Sequence, residues 1–222
     1  TKAINYFILA SNQNNSDAQY FLGSIYLYEK FFYDIDKAVF YTTLSAKKNH
    51  YGAFFNLGLI YSDEIYMKLD INKAISYFTQ SANNGYVQSY FKLGVIYYEG
   101  KYINRDINKA IHYFELAAKN NIPNGYSFLG VIYFEGKYIP KDINKAIYYF
   151  LLAANQNIAY AQYNLGIIYY LDRYGLKDID KALHYFLLAA NQNEKNALYF
   201  LGLIYYQNKY FPRDIKKSVH YF

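Results

Sequence analysis

Between residues 89 and 97 the small and apolar residues fall at Ser89, Leu93, Ile96 and Tyr97, a spacing of i, i+4, i+7 and i+8. That spacing puts them on one face of an α-helix. A second stripe follows at Ile107, Ala110, Ile111, Phe114, Ala117 and Ala118. It too has the helical period, and its two small closing residues suit a tightly packed partner. Asp106 precedes this stripe and fits an N-cap, its carboxylate accepting from free amide N–H groups of the first turn. Between the stripes lies Gly100, a residue that tolerates the left-handed conformation ending a helix. The sequence therefore predicts a helix, a loop and a second helix.

The same arrangement returns along the whole chain. The Leu-Gly marker recurs at Gly23, Gly58, Gly94, Gly130, Gly166 and Gly202, and the capping aspartate at Asp34, Asp70, Asp106, Asp142, Asp178 and Asp214. The step is 36 residues, shortened to 35 once, between Gly23 and Gly58. Gly136 and Asn208 stand where Gly100 does, and Pro140 and Pro212 precede the second helix, where they discourage continuation of the first. A glycine inside a helix costs about 1 kcal/mol relative to alanine. Its return in every unit predicts close approach of a neighbouring helix. Neither helix of a unit buries its face alone, so the units are expected to stack on a continuous core. The expected organisation is a single array over 1–222: the second helix of a truncated repeat at 1–15, repeats at 16–50, 51–86, 87–122, 123–158 and 159–194, and an incomplete one at 195–222. Because both ends fall inside the pattern, the chain reads as part of a longer one.

Composition changes this picture little. Hydrophobic residues make up 54% of the 222 positions, which excludes general disorder. No apolar run approaches the ~18 residues of a transmembrane helix. The absence of cysteine removes disulfides, thiolate zinc sites and thiol nucleophiles, and permits a cytosolic location. The net charge of +6 fits an anionic partner or simple solubility. The unusual feature is 32 tyrosines and 17 phenylalanines with no tryptophan, which need a regular place in the fold.

At 36 residues, a unit with Leu-Gly, Ile-Tyr, Asp-Ile-x-Lys-Ala, Tyr-Phe and Ala-Ala, shown well by "AQYNLGIIYYLDRYGLKDIDKALHYFLLAA" from Ala161 to Ala190, resembles the Sel-1-like repeat, a relative of the tetratricopeptide repeat. The resemblance spans essentially the whole chain. It implies an all-α fold, a right-handed α/α superhelical solenoid of stacked helix–loop–helix repeats. It also implies a non-enzymatic adaptor that binds a protein or peptide, with no cofactor.

Asp106, Lys109 and His112 lie three residues apart, like parts of a catalytic or metal-binding helix. Lysine recurs identically at Lys37, Lys73, Lys109, Lys145, Lys181 and Lys217, which suits a helix cap with surface charge better than one active site. The histidine position holds His112, His184 and His220 but also Phe40, Ser76 and Tyr148, and reads as a solvated face. Counted from the glycine, two rows face away from the core stripe of the first helix. The −3 row includes Tyr163 and Tyr199 and reads as packing between adjacent first helices or as groove contact. The +4 row includes Tyr98, Phe134, Tyr170 and Tyr206 and is expected to be exposed in a concave groove, where tyrosine suits peptide binding. The −2 row, with Lys92 and Asn164, is expected at the rim. A basic edge is expected from the interhelix loops: Lys101 and Arg105, Lys137 and Lys141, Arg173 and Lys177, Lys209 and Arg213. This edge is the alternative binding surface, for an acidic partner, an anionic membrane or nucleic acid. No recognisable nucleic-acid motif accompanies it.

Overall fold

The computed structural model describes residues 2–207 and 214–221. The helices fall into two compact units, divided after Asn120. The first holds α1 (Lys2–Asn12), α2 (Ser16–Tyr28), α3 (Ile35–Ala46), α4 (Tyr51–Ser62), α5 (Ile71–Asn83), α6 (Gln88–Glu99) and α7 (Ile107–Lys119). The second holds α8 (Asn124–Glu135), α9 (Ile143–Asn155), α10 (Ala159–Tyr170), α11 (Ile179–Ala190), α12 (Lys195–Tyr206) and α13 (Ile215–Tyr221). No strand occurs among the described residues. The fold is an all-α helical repeat solenoid. α2 pairs most closely with α3, α4 with α5 and α6 with α7, and likewise α8 with α9, α10 with α11 and α12 with α13.

Four of the pairs, α4 with α5, α6 with α7, α8 with α9 and α10 with α11, are each built around one aromatic ring. Phe78, Phe114, Phe150 and Phe186 are 0% exposed, and Leu57, Leu93, Leu129 and Leu165 of the paired first helices lie against the same interior at 0–1%. A Cβ added to Gly58, Gly94, Gly130 or Gly166 would lie 2.5–2.6 Å from the ring of that phenylalanine. The glycine thus admits the ring of the repeat's own second helix, rather than the backbone of a neighbouring repeat. At the first repeat Thr42 replaces the phenylalanine and sits against Gly23.

The aspartate and lysine that drew attention in the sequence form a clasp across each pair. The aspartate carboxylate accepts from the backbone N–H of the lysine three residues on, at 2.9–3.1 Å in all six copies. Its backbone N–H donates to the carbonyl of Tyr26, Tyr61, Tyr97, Tyr133, Tyr169 or Tyr205 at the end of the first helix, at 2.9–3.1 Å. The lysine Nζ lies 2.8–3.9 Å from the carboxylate and 5.0–5.3 Å from the centre of that same tyrosine ring. The ring stacks on a tyrosine of the second helix at 5.6–5.9 Å. A capped N-terminus, an ion pair and a stacked aromatic pair therefore close the open end of every repeat.

Repeats join through a second turn. Two or three residues beyond the end of α1, α3, α5, α7, α9 and α11 the chain turns left-handed: Asn14, Asn49, Asn121, Asn157 and Asn193 have φ of 60–70°, and Gly85 has φ 93°. Asparagine and glycine are the residues that tolerate this conformation. Gly100 and Gly136, with φ of 58° and 60°, do the same at the ends of α6 and α8.

Candidate functional site

The first helices carry the aromatic rows. In the first unit Tyr98 is half-buried, its ring 6.4 Å from Phe114 at 63°. In the second, Phe134 meets Phe150 at 6.3 Å and 65°, and Tyr170 meets Phe186 at 6.3 Å and 64°. The −3 row presses on the same rings from the other side. Phe55 lies 5.6 Å from Phe78, Phe91 5.8 Å from Phe114 and Tyr163 6.2 Å from Phe186. Phe114 and Phe186 are therefore each held between two rings seven residues apart on the facing helix. The expected exposure of the +4 row does not hold at Tyr98, Phe134 and Tyr170, which are half-buried with their rings against the core phenylalanines. Tyr206 and Tyr199 on α12 are 51% and 52% exposed.

The −2 row departs further from its expected place at a rim. Asn164 is 7% exposed and donates through Nδ2 to the carbonyl of Tyr160 at 2.7 Å. Asn56, 3% exposed, accepts from the Tyr28 hydroxyl at 3.1 Å and donates to Ser24 Oγ at 3.0 Å. Successive first helices touch, α2 with α4 and α10 with α8 and α12, and Asn56 is buried in the first of these contacts through Tyr28 and Ser24, whereas Phe21 in the same row is 48% exposed. Lys92 is half-buried. Tyr28 is 52% exposed as a residue, but desolvation where its hydroxyl meets Asn56 pushes the phenol up to about 12, with smaller contributions from Tyr66, Tyr20 and Tyr86.

The loop cations are exposed, but most fold onto their own repeat. Arg105 donates from Nε to the carbonyl of Tyr98 and from Nη2 to that of Glu99, both at 2.7 Å, and so closes the C-terminus of α6. Lys101 stands over the Tyr102 ring at 4.5 Å and Lys137 over Tyr138 at 5.1 Å. Lys141 stands over both Phe134 and Tyr174, at 5.6 and 5.7 Å. Arg173 and Lys177 are exposed in the loop after α10, while Lys209 and Arg213 lie outside the described residues. The basic edge is thus in good part a set of helix and ring contacts, which local sequence could not foretell because they depend on the path of the loop.

His112, His184 and His220 are exposed and each rests against the following tyrosine, at 5.5, 5.2 and 5.1 Å. Among the described residues no three His, Cys, Asp or Glu side chains gather as a metal site would require. No described helix is long and apolar enough to cross a membrane. The histidine with a defined role is His50, which went unremarked in the sequence. Its Nδ1 accepts from Ala53 N–H at 3.2 Å and so caps α4, its Nε2 faces Asp17 Oδ1 at 3.4 Å, and its ring stacks on Tyr20 at 4.4 Å and Tyr51 at 5.1 Å. Desolvation holds its pKa below the ordinary histidine value, against the opposing pull of Asp17.

Comparison with known proteins agrees with this geometry. The Sel1 repeat model matches at 1–15, 16–50, 53–86, 87–122, 123–158, 159–194 and 195–222. A Sel1 repeat protein from Oxalobacter formigenes is similar at 28% identity and a TM-score of 0.85, over 98% of this chain and 89% of that one. The protein c5321, a protective antigen of uropathogenic Escherichia coli with an SLR fold, is similar at 22% identity and a TM-score of 0.83, over 98% of this chain but 47% of its own. The immunity protein Pa5087 from Pseudomonas aeruginosa shares the fold more distantly, with a TM-score of 0.57 at 22% identity over 93% of this chain and 79% of its own. No curated protein matches the chain. Sel1 repeats generally act as protein–protein interaction scaffolds. With the repeat model covering nearly every residue and the helical pairs built as described, the chain belongs to the Sel1 repeat family.

Proposed function

We propose that this chain is a non-catalytic scaffold that captures a peptide or protein segment on the accessible aromatic edges of its first helices. The observation that carries the reading is the aromatic surface of α10 and α12. Phe200 lies 6.2 Å from Tyr163 and 5.5 Å from Tyr170, all three half-buried, and Tyr199 and Tyr206 stand beside them half exposed. Such rings offer contact area and hydroxyl hydrogen bonds with little side-chain entropy left to lose. They are held from behind by Phe186, stacked 5.2 Å from Phe200, so the surface is ordered before a partner arrives.

The test must respect the double duty of these side chains. Truncating Tyr98 or Tyr170 to alanine would strip the buried phenylalanine as well as the surface. Leucine keeps bulk against the core and removes the ring edge and hydroxyl. Peptides selected on the wild-type protein from a displayed random library should bind a Tyr170→Leu, Tyr199→Leu, Tyr206→Leu variant at least tenfold more weakly. Phe40→Ser, at a 57% exposed position on the second helix α3, should leave binding unchanged. Undiminished binding by the folded triple variant would remove this surface from consideration. Lys101, Arg105, Lys137 and Lys141 are drawn onto rings and carbonyls, which gives the reading of an anionic partner less support.

A further inference from the structure

In the second repeat the +4 position is Ser62, and nothing replaces the missing ring. In the third, fourth and fifth repeats Tyr98, Phe134 and Tyr170 stand there against Phe114, Phe150 and Phe186. Phe134 also meets Tyr174 of the next loop, at 6.1 Å and 68°. The first repeat lacks the aromatic too, but it has Thr42 in place of the buried phenylalanine and Leu27, 2% exposed, closing the gap. The second repeat keeps Phe78, and Ser62 turns its hydroxyl back to the carbonyl of Leu59 at 3.0 Å. A cavity of about 160 Å³ results, with Ser62, Ile71, Phe78, Val95, Ile96 and Tyr102 among its walls. Tyr102 is the counterpart of Tyr174, so the hollow lies between the two groups that an aromatic ring touches two repeats later. A cavity of roughly 150 Å³ with apolar walls holds one benzene ring.

The mouth has its own charge. An adjoining hollow of about 370 Å³ is lined by Asp63, Glu64, Glu99 and Lys101. With Lys92 at the cavity wall, three carboxylates face two ammonium groups, which leaves the mouth one charge negative on a chain whose net charge is +6. We infer that the cleft at Ser62 receives a single phenylalanine or tyrosine side chain of a partner peptide, with a basic residue beside it. The third, fourth and fifth repeats supply the ring themselves; this one takes it from the partner. The inference rests on the scaffold reading and names one anchor within it.

Methyl NMR of Ile71, Val95, Ile96 and Ile103 tests it, with acetyl-Lys-Phe-Lys-amide as the probe. Saturable shifts at these methyls are expected with that peptide, and none with acetyl-Lys-Ala-Lys-amide. Acetyl-Glu-Phe-Glu-amide should bind several-fold more weakly. Ser62→Phe should restore the ring of the other repeats, raise Tm and abolish the shifts, and Ser62→Leu should weaken them. No saturable shift in the wild type, equal shifts in the folded Ser62→Phe protein, or a preference for acetyl-Lys-Leu-Lys-amide would each overturn the assignment. So would a Ser62→Phe chain that fails to fold, since the ring would then not belong there. The broader reading fails separately: it falls if library-selected peptides ignore the leucine variants at Tyr170, Tyr199 and Tyr206. It stands if those variants lose binding while Ser62→Phe keeps it.

Discussion

At Gly130 two effects of one methyl group oppose each other. Alanine would gain about 1 kcal/mol of helix propensity over glycine. Its Cβ would also stand 2.5 Å from the Phe150 ring, which is 0% exposed and has nowhere to retreat. Overpacking of this kind costs about 1–3 kcal/mol, so Gly130→Ala is expected to lower stability in chemical denaturation, and Phe150→Leu should recover part of the loss in the double variant. Thr42 presents the reverse case. Its hydroxyl is buried without a hydrogen-bond partner, and removing an unsatisfied hydroxyl at constant shape recovers about 1 kcal/mol or more. Thr42→Val should therefore raise Tm. His50 adds a pH response. Because desolvation lowers its folded pKa beneath the unfolded value of about 6.5, its neutral form stabilises the fold above that pH. That stability is lost as pH falls through the lowered folded value, where protonation of Nδ1 breaks the cap on α4. His50→Asn should keep the cap, as Asn15 does for α2 at 2.8 Å, and remove this step from a plot of Tm against pH.

At the scale of the helical pair, the clasp divides unequally between its two charges. The aspartate satisfies a helix N-terminus, and replacing such a cap with alanine costs about 1 kcal/mol. The lysine makes an exposed ion pair and a ring contact, and exposed pairs contribute about 0–1 kcal/mol. Asp106→Ala should thus destabilise the chain clearly more than Lys109→Met, as denaturant midpoints would show. Hydrogen bonding to Lys37 holds the Asp34 carboxyl below the usual carboxylate range, and the backbone N–H groups of Lys73 and Lys181 do the same for Asp70 and Asp178. Depressed folded pKa values give stability that is full above the unfolded pKa of about 3.9 and lost as pH falls through the folded values. Replacing these three aspartates with asparagine, itself a good cap, should flatten the acid limb of the stability curve. Both helices, the cap and the lysine were legible in the sequence because the period wrote them six times. The left-handed turn residues from Asn14 to Asn193 were legible too, at the same constant step, but asparagine draws less notice than glycine. The burial of Tyr98 and Tyr170 was not legible. A helical wheel places them opposite the core stripe, yet a first helix in this fold is covered by its own second helix and by its neighbours. Two helix faces are buried where an isolated amphipathic helix buries one. Arg105 hid for a different reason, since its bonds to Tyr98 and Glu99 depend on where the loop returns.

Over the whole molecule, contacts within each unit run between helices one or two places apart in the chain. Stability in such an architecture is approximately a sum of repeat terms and nearest-neighbour terms, so damage should stay local. Phe186 offers a direct test. Its ring is 0% exposed, lies under Gly166, and touches Tyr163, Tyr170 and Phe200. Truncating a buried phenylalanine to alanine costs about 3–5 kcal/mol. Here that loss falls on α10, α11 and α12, which share the ring. Hydrogen exchange of Phe186→Ala should show protection falling in those three helices while α2 to α5 keep theirs. Equal loss of protection along the chain would mean instead that the repeats unfold as one cooperative body. The same local logic bears on the cleft at Ser62. A missing ring is tolerated in one repeat because its neighbours do not depend on it, which leaves the array free to vary that position from unit to unit. Ser62→Phe should then raise protection in α4, α5 and α6 and leave α10 to α12 unchanged, an outcome that the same exchange experiment reads directly.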